Sequence, residues 1–197
     1  MFSDNNIVER LKDKLKTVND VELVYLVNKL IAEREDLLEN INIDQLTGVY
    51  NRRILNYINE FSVIVMCDID DFKKINDSYG HDVGDLALKI LAKELYSNIR
   101  INDVVCRYGG DEFLIIFNDC NKEVVCERMR KVQEDLKYPF RDKKYEVSIS
   151  VGIAERENDQ SLTEVITNAD MALYNSKNNG KNRITLYSNN ELILKLK

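Results

Sequence analysis

The chain has 197 residues, 44% of them hydrophobic, with one proline and seven glycines, which suits one compact domain with a short appendage and a substantial buried core. Its 28 Lys and Arg against 34 Asp and Glu leave a formal charge of −6, an acidic balance that argues against a nonspecific nucleic-acid binder. The opening MFSDNNIVER lacks the apolar stretch of a signal peptide, and VELVYLVNKLIA spans about half a bilayer and is interrupted by Asn28 and Lys29. A cytoplasmic protein without membrane insertion is expected.

The first 40 residues contain neither Gly nor Pro and place Leu23, Val27, Leu30 and Leu37 at alternating fours and threes, with Arg34 in the polar slot. That pattern predicts a helix that is either a short coiled-coil seam or an amphipathic helix packed on the domain. Residues 1–43 are accordingly read as an N-terminal helical segment and 44–190 as the main domain. Within the latter, SVIVMCDID reads as a buried central strand, and DVGDLALKILAKEL as a helix with Val83, Leu86, Ala87, Ile90, Leu91 and Leu95 on one stripe. VVCRY and FLIIF flank a Gly-Gly turn as a hairpin. A second helix carries Val125, Met129, Val132 and Leu136, and YEVSISVGI alternates with strand period. Ser161 and Glu164 form a capping box for a third helix that ends before Gly180, and RITLYS closes as a strand. The order β-α-β-β-α-β predicts an α+β fold, a split βαβ sheet with helices on one face. Cys67, Cys106, Cys120 and Cys126 show no CxxC spacing and are read as reduced packing thiols.

RYGGDEFLIIF carries two acids to the tip of the hairpin. A lone carboxylate there is ordinarily a solvated turn residue. Yet the first strand ends in Asp68-Ile69-Asp70, and if that end lies against the turn, Asp68, Asp70, Asp111 and Glu112 converge. Carboxylates so close repel unless a cation sits between them, and an all-oxygen set favours Mg²⁺ with phosphate oxygens as further ligands. Gly109 and Gly110 would let the backbone approach a phosphate or ribose closely. Lys73, Lys177, Lys181 and Arg183, each unremarkable alone, supply the cations that a triphosphate needs.

Four blocks, DQLTGVYNRR (44–53), DIDDFKKINDSYGHDVGD (68–85), RYGGDEF (107–113) and KNNGKNR (177–183), resemble in order the GGDEF family of diguanylate cyclases. The resemblance covers residues 44–187. It implies a palm-like nucleotidyl-cyclase sheet, GTP as substrate, and a Mg²⁺-dependent homodimer that makes cyclic di-GMP, with two metal ions per site that Mn²⁺ can replace. By the same resemblance Asp68, Asp111 and the carbonyl of Ile69 hold metal, and Asp111, Glu112 and Lys73 serve catalysis, Asp111 as candidate base near the attacking 3′-OH. Asn76, His81, Asp85, Gly109, Gly110, Lys177 and Lys181 bind the nucleotide. Asp85 also carries a chemical argument: a carboxylate accepts from the N1–H and N2–H₂ edge of guanine, which adenine lacks. That counts against a cyclase making another dinucleotide. Arg100-Ile-Asn-Asp103 has the spacing of the family's inhibitory site for its product, against a plain surface ion pair on a connector. Two departures are Asp71, where many members have His, and Lys181, where Arg is common and would fork onto phosphate. No sensory module typical of the family is expected in the residues ahead of the domain. The alternative function is an idle module that binds cyclic di-GMP or mediates dimerisation.

Overall fold

The computed structural model describes residues 4–18, 20–137, 146–157, 159–188 and 191–195, apart from the side chains of 4–7 and 35–40. It divides into two compact units, Met1–Ile43 and Asp44–Lys197. The first holds two helices where one was expected, α1 (Asp4–Leu15) and α2 (Val21–Asn42). The Asp20 side chain begins α2 by accepting the Leu23 N–H at 3.0 Å. Leu23 and Leu30 of the expected seam are exposed in the single chain, whereas Leu37 lies outside the described side chains.

The second unit is a seven-stranded mixed sheet in the order β1-β3-β4-β2-β5-β6-β7. Its strands are β1 (Tyr50–Asn51), β2 (Val63–Ile69), β3 (Val104–Gly109), β4 (Glu112–Phe117), β5 (Ile149–Glu155), β6 (Ile184–Ser188) and β7 (Glu191–Lys195). Strand β2 lies at the centre, antiparallel to both β4 and β5, and the parallel pairs β1/β3 and β5/β6 flank this antiparallel middle. The helices are α3 (Phe72–Tyr79), α4 (His81–Ser97), α5 (Lys122–Asp135) and α6 (Leu162–Asn178).

The expectation of helices on one face is corrected. All seven residues of β2 are buried, so both faces of the sheet need cover. On one face Val65, Cys67, Phe113, Ile115 and Val151 share a core with Leu91 of α4 and Met129 of α5. On the other, Ile64, Met66, Leu114 and Ile116 meet Val165, Ala169 and Leu173 of α6. Such side chains contribute about 1.5–3 kcal/mol each when fully buried. The two-sided burial also hides the polar partners in β5's alternation: Ser150 is fully buried. The α4 stripe is corrected too. Gly84, Ala87, Leu88, Leu91, Ala92 and Leu95 face inward, and Leu86 lies on the exposed side. The Ser161–Glu164 capping box forms as expected. All four cysteines are free, and burial pushes the Cys106 thiol up to about 12. Among the described residues no helix is long and apolar enough to cross a membrane.

Helix α6 packs tightly on β5 at Gly152, where an added Cβ would lie 2.1 Å from the Ala169 carbonyl oxygen and 2.2 Å from the Leu173 nitrogen. Both are backbone atoms that cannot swing aside. Gly152→Ala is therefore expected to destabilise the domain by about 3 kcal/mol, read as a lowered urea midpoint. An unchanged midpoint would mean that α6 is free to slide on the sheet.

Candidate functional site

Strand β2 delivers Asp68 to the end of the sheet, and the register places it directly opposite Glu112 on β4 and Ser150 on β5. Like charges facing across a strand pair are unfavourable. Here Lys177, in the last turn of α6, brings its Nζ to 2.8 Å from Asp68 Oδ2. Asp68 is only 6% exposed, and burial pushes its carboxyl up to about 6; Lys177 opposes that shift, whereas Asp111 and Glu112 add to it. Burial also raises the Glu112 carboxyl, with Lys177 again opposing and Asp170 and Asp111 adding. Asp68, Asp111 and Glu112 thus feel one another at the strand end. Ile69, the last residue of β2, is buried beside them.

Asp70 does not join the group, contrary to the expected convergence. Strand β2 has ended, and the carboxylate accepts hydrogen bonds from the Ser150 and Ser148 hydroxyls, both at 2.6 Å, and from the Asn182 N–H at 2.9 Å. Among the described residues no three His, Cys, Asp or Glu side chains form a metal-holding group. The implied ligand set asks for two such side chains, Asp68 and Asp111, plus a carbonyl.

The turn itself is held by a residue that the sequence reading left unassigned. Gly110 sits at φ +53°, a left-handed conformation that glycine adopts without penalty. The Arg107 Nε donates to the Gly110 carbonyl at 2.8 Å, while its Nη1 lies 3.3 Å from both Asp44 oxygens. Burial pulls the Asp44 carboxyl upward, but hydrogen bonds from Thr47 and the Arg107 guanidinium outweigh it and hold the group below the usual range. The signal was present, since Asp44 opens the first block and Arg107 opens the third, but nothing local links positions so far apart.

On the opposite bank, Lys73 is exposed in the first turn of α3, and His81 begins α4, also exposed. Asp85 is half-buried one turn further along α4. Asn76 on α3 has a buried Oδ1 with no hydrogen-bond partner, and a Cβ on Gly84 would lie 1.9 Å from that oxygen. Gly84 is thus what lets Asn76 fit against α4. Lys181 completes this bank: its Nζ lies 2.8 Å from Asp71 Oδ1, and Arg183 turns its Nε onto the Lys181 carbonyl at 2.9 Å.

Arg100 is exposed, whereas Asp103 is buried. The Asp103 carboxylate accepts the Arg100 N–H at 2.9 Å and the Asn118 N–H at 3.1 Å, and lies 3.4 Å from Arg128 Nη1. Arg128 on α5 brings a guanidinium to Asp103 that sequence spacing did not reveal, whereas Arg100 meets it through the backbone N–H.

A family profile described as "Diguanylate cyclase, GGDEF domain" matches residues 41–183. Diguanylate cyclase A of Treponema denticola is 44% identical over 131 residues, 64% of this chain and 35% of that protein. Diguanylate cyclase DosC of Escherichia coli K12 is 32% identical over 199 residues, 93% of this chain and 43% of that protein. The chain therefore spans less than half the length of these curated relatives. Among solved structures, the coiled coil and GGDEF domain of DgcB from Caulobacter crescentus in complex with c-di-GMP superimposes with a TM-score of 0.74 at 26% identity, covering 89% of this chain and 98% of that one. The GGDEF domain of DgcB alone, also with c-di-GMP, gives 0.68 at 28% identity over 74% of this chain and 95% of that one.

Proposed function

Because the chain belongs to the GGDEF family of diguanylate cyclases, we propose that it condenses two GTP into cyclic di-GMP with release of two pyrophosphates. The observation that carries this reading is the strand end where Asp68, Asp111 and Glu112 interact, faced by Lys177. Residues 44–190 form the catalytic domain and 1–43 the helical appendage.

The donor set fits a hard divalent cation. Asp68 is a carboxylate raised by burial and further by its acidic neighbours, and carboxylates so placed gain from a cation among them. Asp68, Asp111 and the Ile69 carbonyl would hold Mg²⁺, which supplies charge neutralisation for phosphate oxygens when bound. Asp111 accepts the proton from the attacking 3′-OH. Lys73, Lys177 and Lys181 offset the negative charge that builds on the phosphates, and Gly109 and Gly110 leave room for the backbone to approach them. Asn76 and Asp85 present acceptors to the guanine edge, with His81 at the start of the same helix.

One domain supplies half a site, so two must meet with each 3′-OH facing the other's α-phosphate. The exposed Leu23 and Leu30 of α2 support a homodimer through that helix. Incubation with GTP and Mg²⁺, followed by mass identification of the product, tests the reading. Cyclic di-GMP should form, with a rate that rises more steeply than first order in protein at low concentration. Product binding without any turnover would instead make the chain an idle module.

Product should also feed back. Arg128 holds its guanidinium beside Asp103, and the exposed Arg100, tied to Asp103 by its backbone N–H, supplies a second at the entrance to the strand that leads into the catalytic turn, while a cyclic dinucleotide brings two phosphates and two guanines. Progress curves of the unaltered protein are expected to flatten before substrate is exhausted, and those of Arg100→Ala to run on with unchanged initial rates. Identical plateaus, with added cyclic di-GMP inhibiting neither protein, would leave this segment an ordinary connector.

A further inference from the structure

The segment between α6 and β6 has an unusual backbone: Gly180, Lys181 and Asn182 follow one another with φ of +105°, +60° and +47°. Glycine takes such values freely, but Lys and Asn do so only at a cost, so a run of three persists only where contacts impose it. One of those contacts comes from far away in sequence. Asp70 is 8% exposed, and its carboxylate spends one oxygen on the Ser150 hydroxyl and the other on the Ser148 hydroxyl and the Asn182 N–H. Its own N–H donates to the Ser148 carbonyl at 2.9 Å, which fixes the residue to the start of β5. The Lys181 N–H is tied in turn to the Ser176 carbonyl at 3.1 Å. Between these two anchors the Lys181 side chain runs toward the β2–α3 junction, where it meets Asp71.

We propose that Asp70 is a positioning residue: it clamps the 180–183 loop in its left-handed form so that Lys181 faces the strand-end site and meets the substrate's phosphates. The consequence for nucleotide rests on the cyclase reading above; the clamp itself does not. The carboxylate is not replaceable by a small apolar group. Hydroxyls can rotate to other acceptors, but the Asn182 N–H cannot, and a buried charge-assisted hydrogen bond is among the stronger ones in a protein. Asn is a partial substitute, since its Oδ1 can keep Ser148 and Asn182 while its Nδ2 donates to the Ser150 oxygen.

Hydrogen exchange without nucleotide tests the clamp. In Asp70→Ala the Asn182 amide should exchange roughly ten- to a hundredfold faster, with β2 and β5 protected as before, and Asp70→Asn should restore most of the protection. Should Asp70→Ala fail to fold, Ser148→Ala removes one support and should show a smaller rise at the same amide. Binding of inorganic tripolyphosphate tests the consequence without requiring turnover. Asp70→Ala should weaken it about tenfold in the otherwise unaltered protein and not at all in a Lys181→Ala background, because both changes remove one contact. Unchanged exchange at Asn182, or an equal loss of binding in both backgrounds, would overturn the proposal. A chain that passes these tests but makes no cyclic di-GMP from GTP would refute the cyclase reading alone.

Discussion

Asp68→Asn is expected to stop GTP turnover, by on the order of 10³-fold or more, and at the same time to make the metal-free protein more stable at pH 8. The loss follows from the role proposed for the carboxylate, since metal-assisted charge neutralisation is a matter of several kcal/mol in the transition state. The gain follows from its surroundings. Folding raises the Asp68 carboxyl from 3.8 to about 6, chiefly by burial, so the folded state holds the proton more tightly than the unfolded one. Stability contributed by this group therefore falls as pH rises from about 4 through 6, and above that the full penalty, ~3 kcal/mol, is present. Asn carries no such penalty. That penalty is already net of the pairing with Lys177, whose side chain is 34% exposed and can return to water in the variant. The expectation is a gain of up to about 3 kcal/mol above pH 7 that vanishes toward pH 4. Urea titrations in chelator across that range measure it, and a less stable Asn variant at pH 8 would show that the Lys177 pair outweighs burial. Asp111→Ala should lose turnover equally with little change in stability, because Asp111 is a half-buried turn residue. Near wild-type rates in either variant under saturating GTP and Mg²⁺ would sink the metal-centred mechanism.

The strands and helices were legible because their apolar patterns are local. SVIVMCDID is apolar without a break from Val63 to Cys67, as a central strand must be before it reaches its polar end, and the capping box at Ser161 marks its helix without reference to anything distant. What the pattern could not give was sidedness. A strand apolar on both faces demands two layers of cover, yet the alternation of Ser148 and Ser150 with Val and Ile suggested one wet face; those serines are instead the hydroxyl donors that Asp70 needs. Asp70 was misplaced for a related reason. Period two holds only while the strand continues, and β2 stops at Ile69. The links that give the site its shape, Arg107 to Asp44, Lys177 to Asp68 and Asn182 to Asp70, join residues that no helical or strand period relates. Side-chain type alone announced the acids and lysines; which acid meets which lysine is a property of the folded sheet.

Base selection should be the other large effect. With equal GTP and ATP the protein is expected to favour GTP by roughly 10⁴-fold in kcat/KM, the scale reached when a site's buried polar groups go unpaired with the wrong substrate. Asn76 Oδ1 is a buried acceptor without a protein partner, and Asp85 lies half-buried on the next helix, immediately after the Gly84 that makes room for Asn76. Guanine offers N1–H and N2–H₂ to such acceptors. Adenine offers neither donor there, and its unprotonated N1 would face the Asp85 carboxylate. Asp85→Asn supplies a donor in place of one acceptor, so the GTP preference should fall by about two orders of magnitude, through loss with GTP and gain with ATP. Inosine triphosphate, which keeps N1–H and lacks the N2 amino group, should lie between the two nucleotides in the unaltered protein and fall alongside GTP in the variant. Gly84→Ala should weaken GTP use by pushing Asn76 aside, with Asp85 left in place. If ATP competes evenly in the unaltered protein, or if Asp85→Asn leaves the preference where it was, the α3–α4 junction does not read the base.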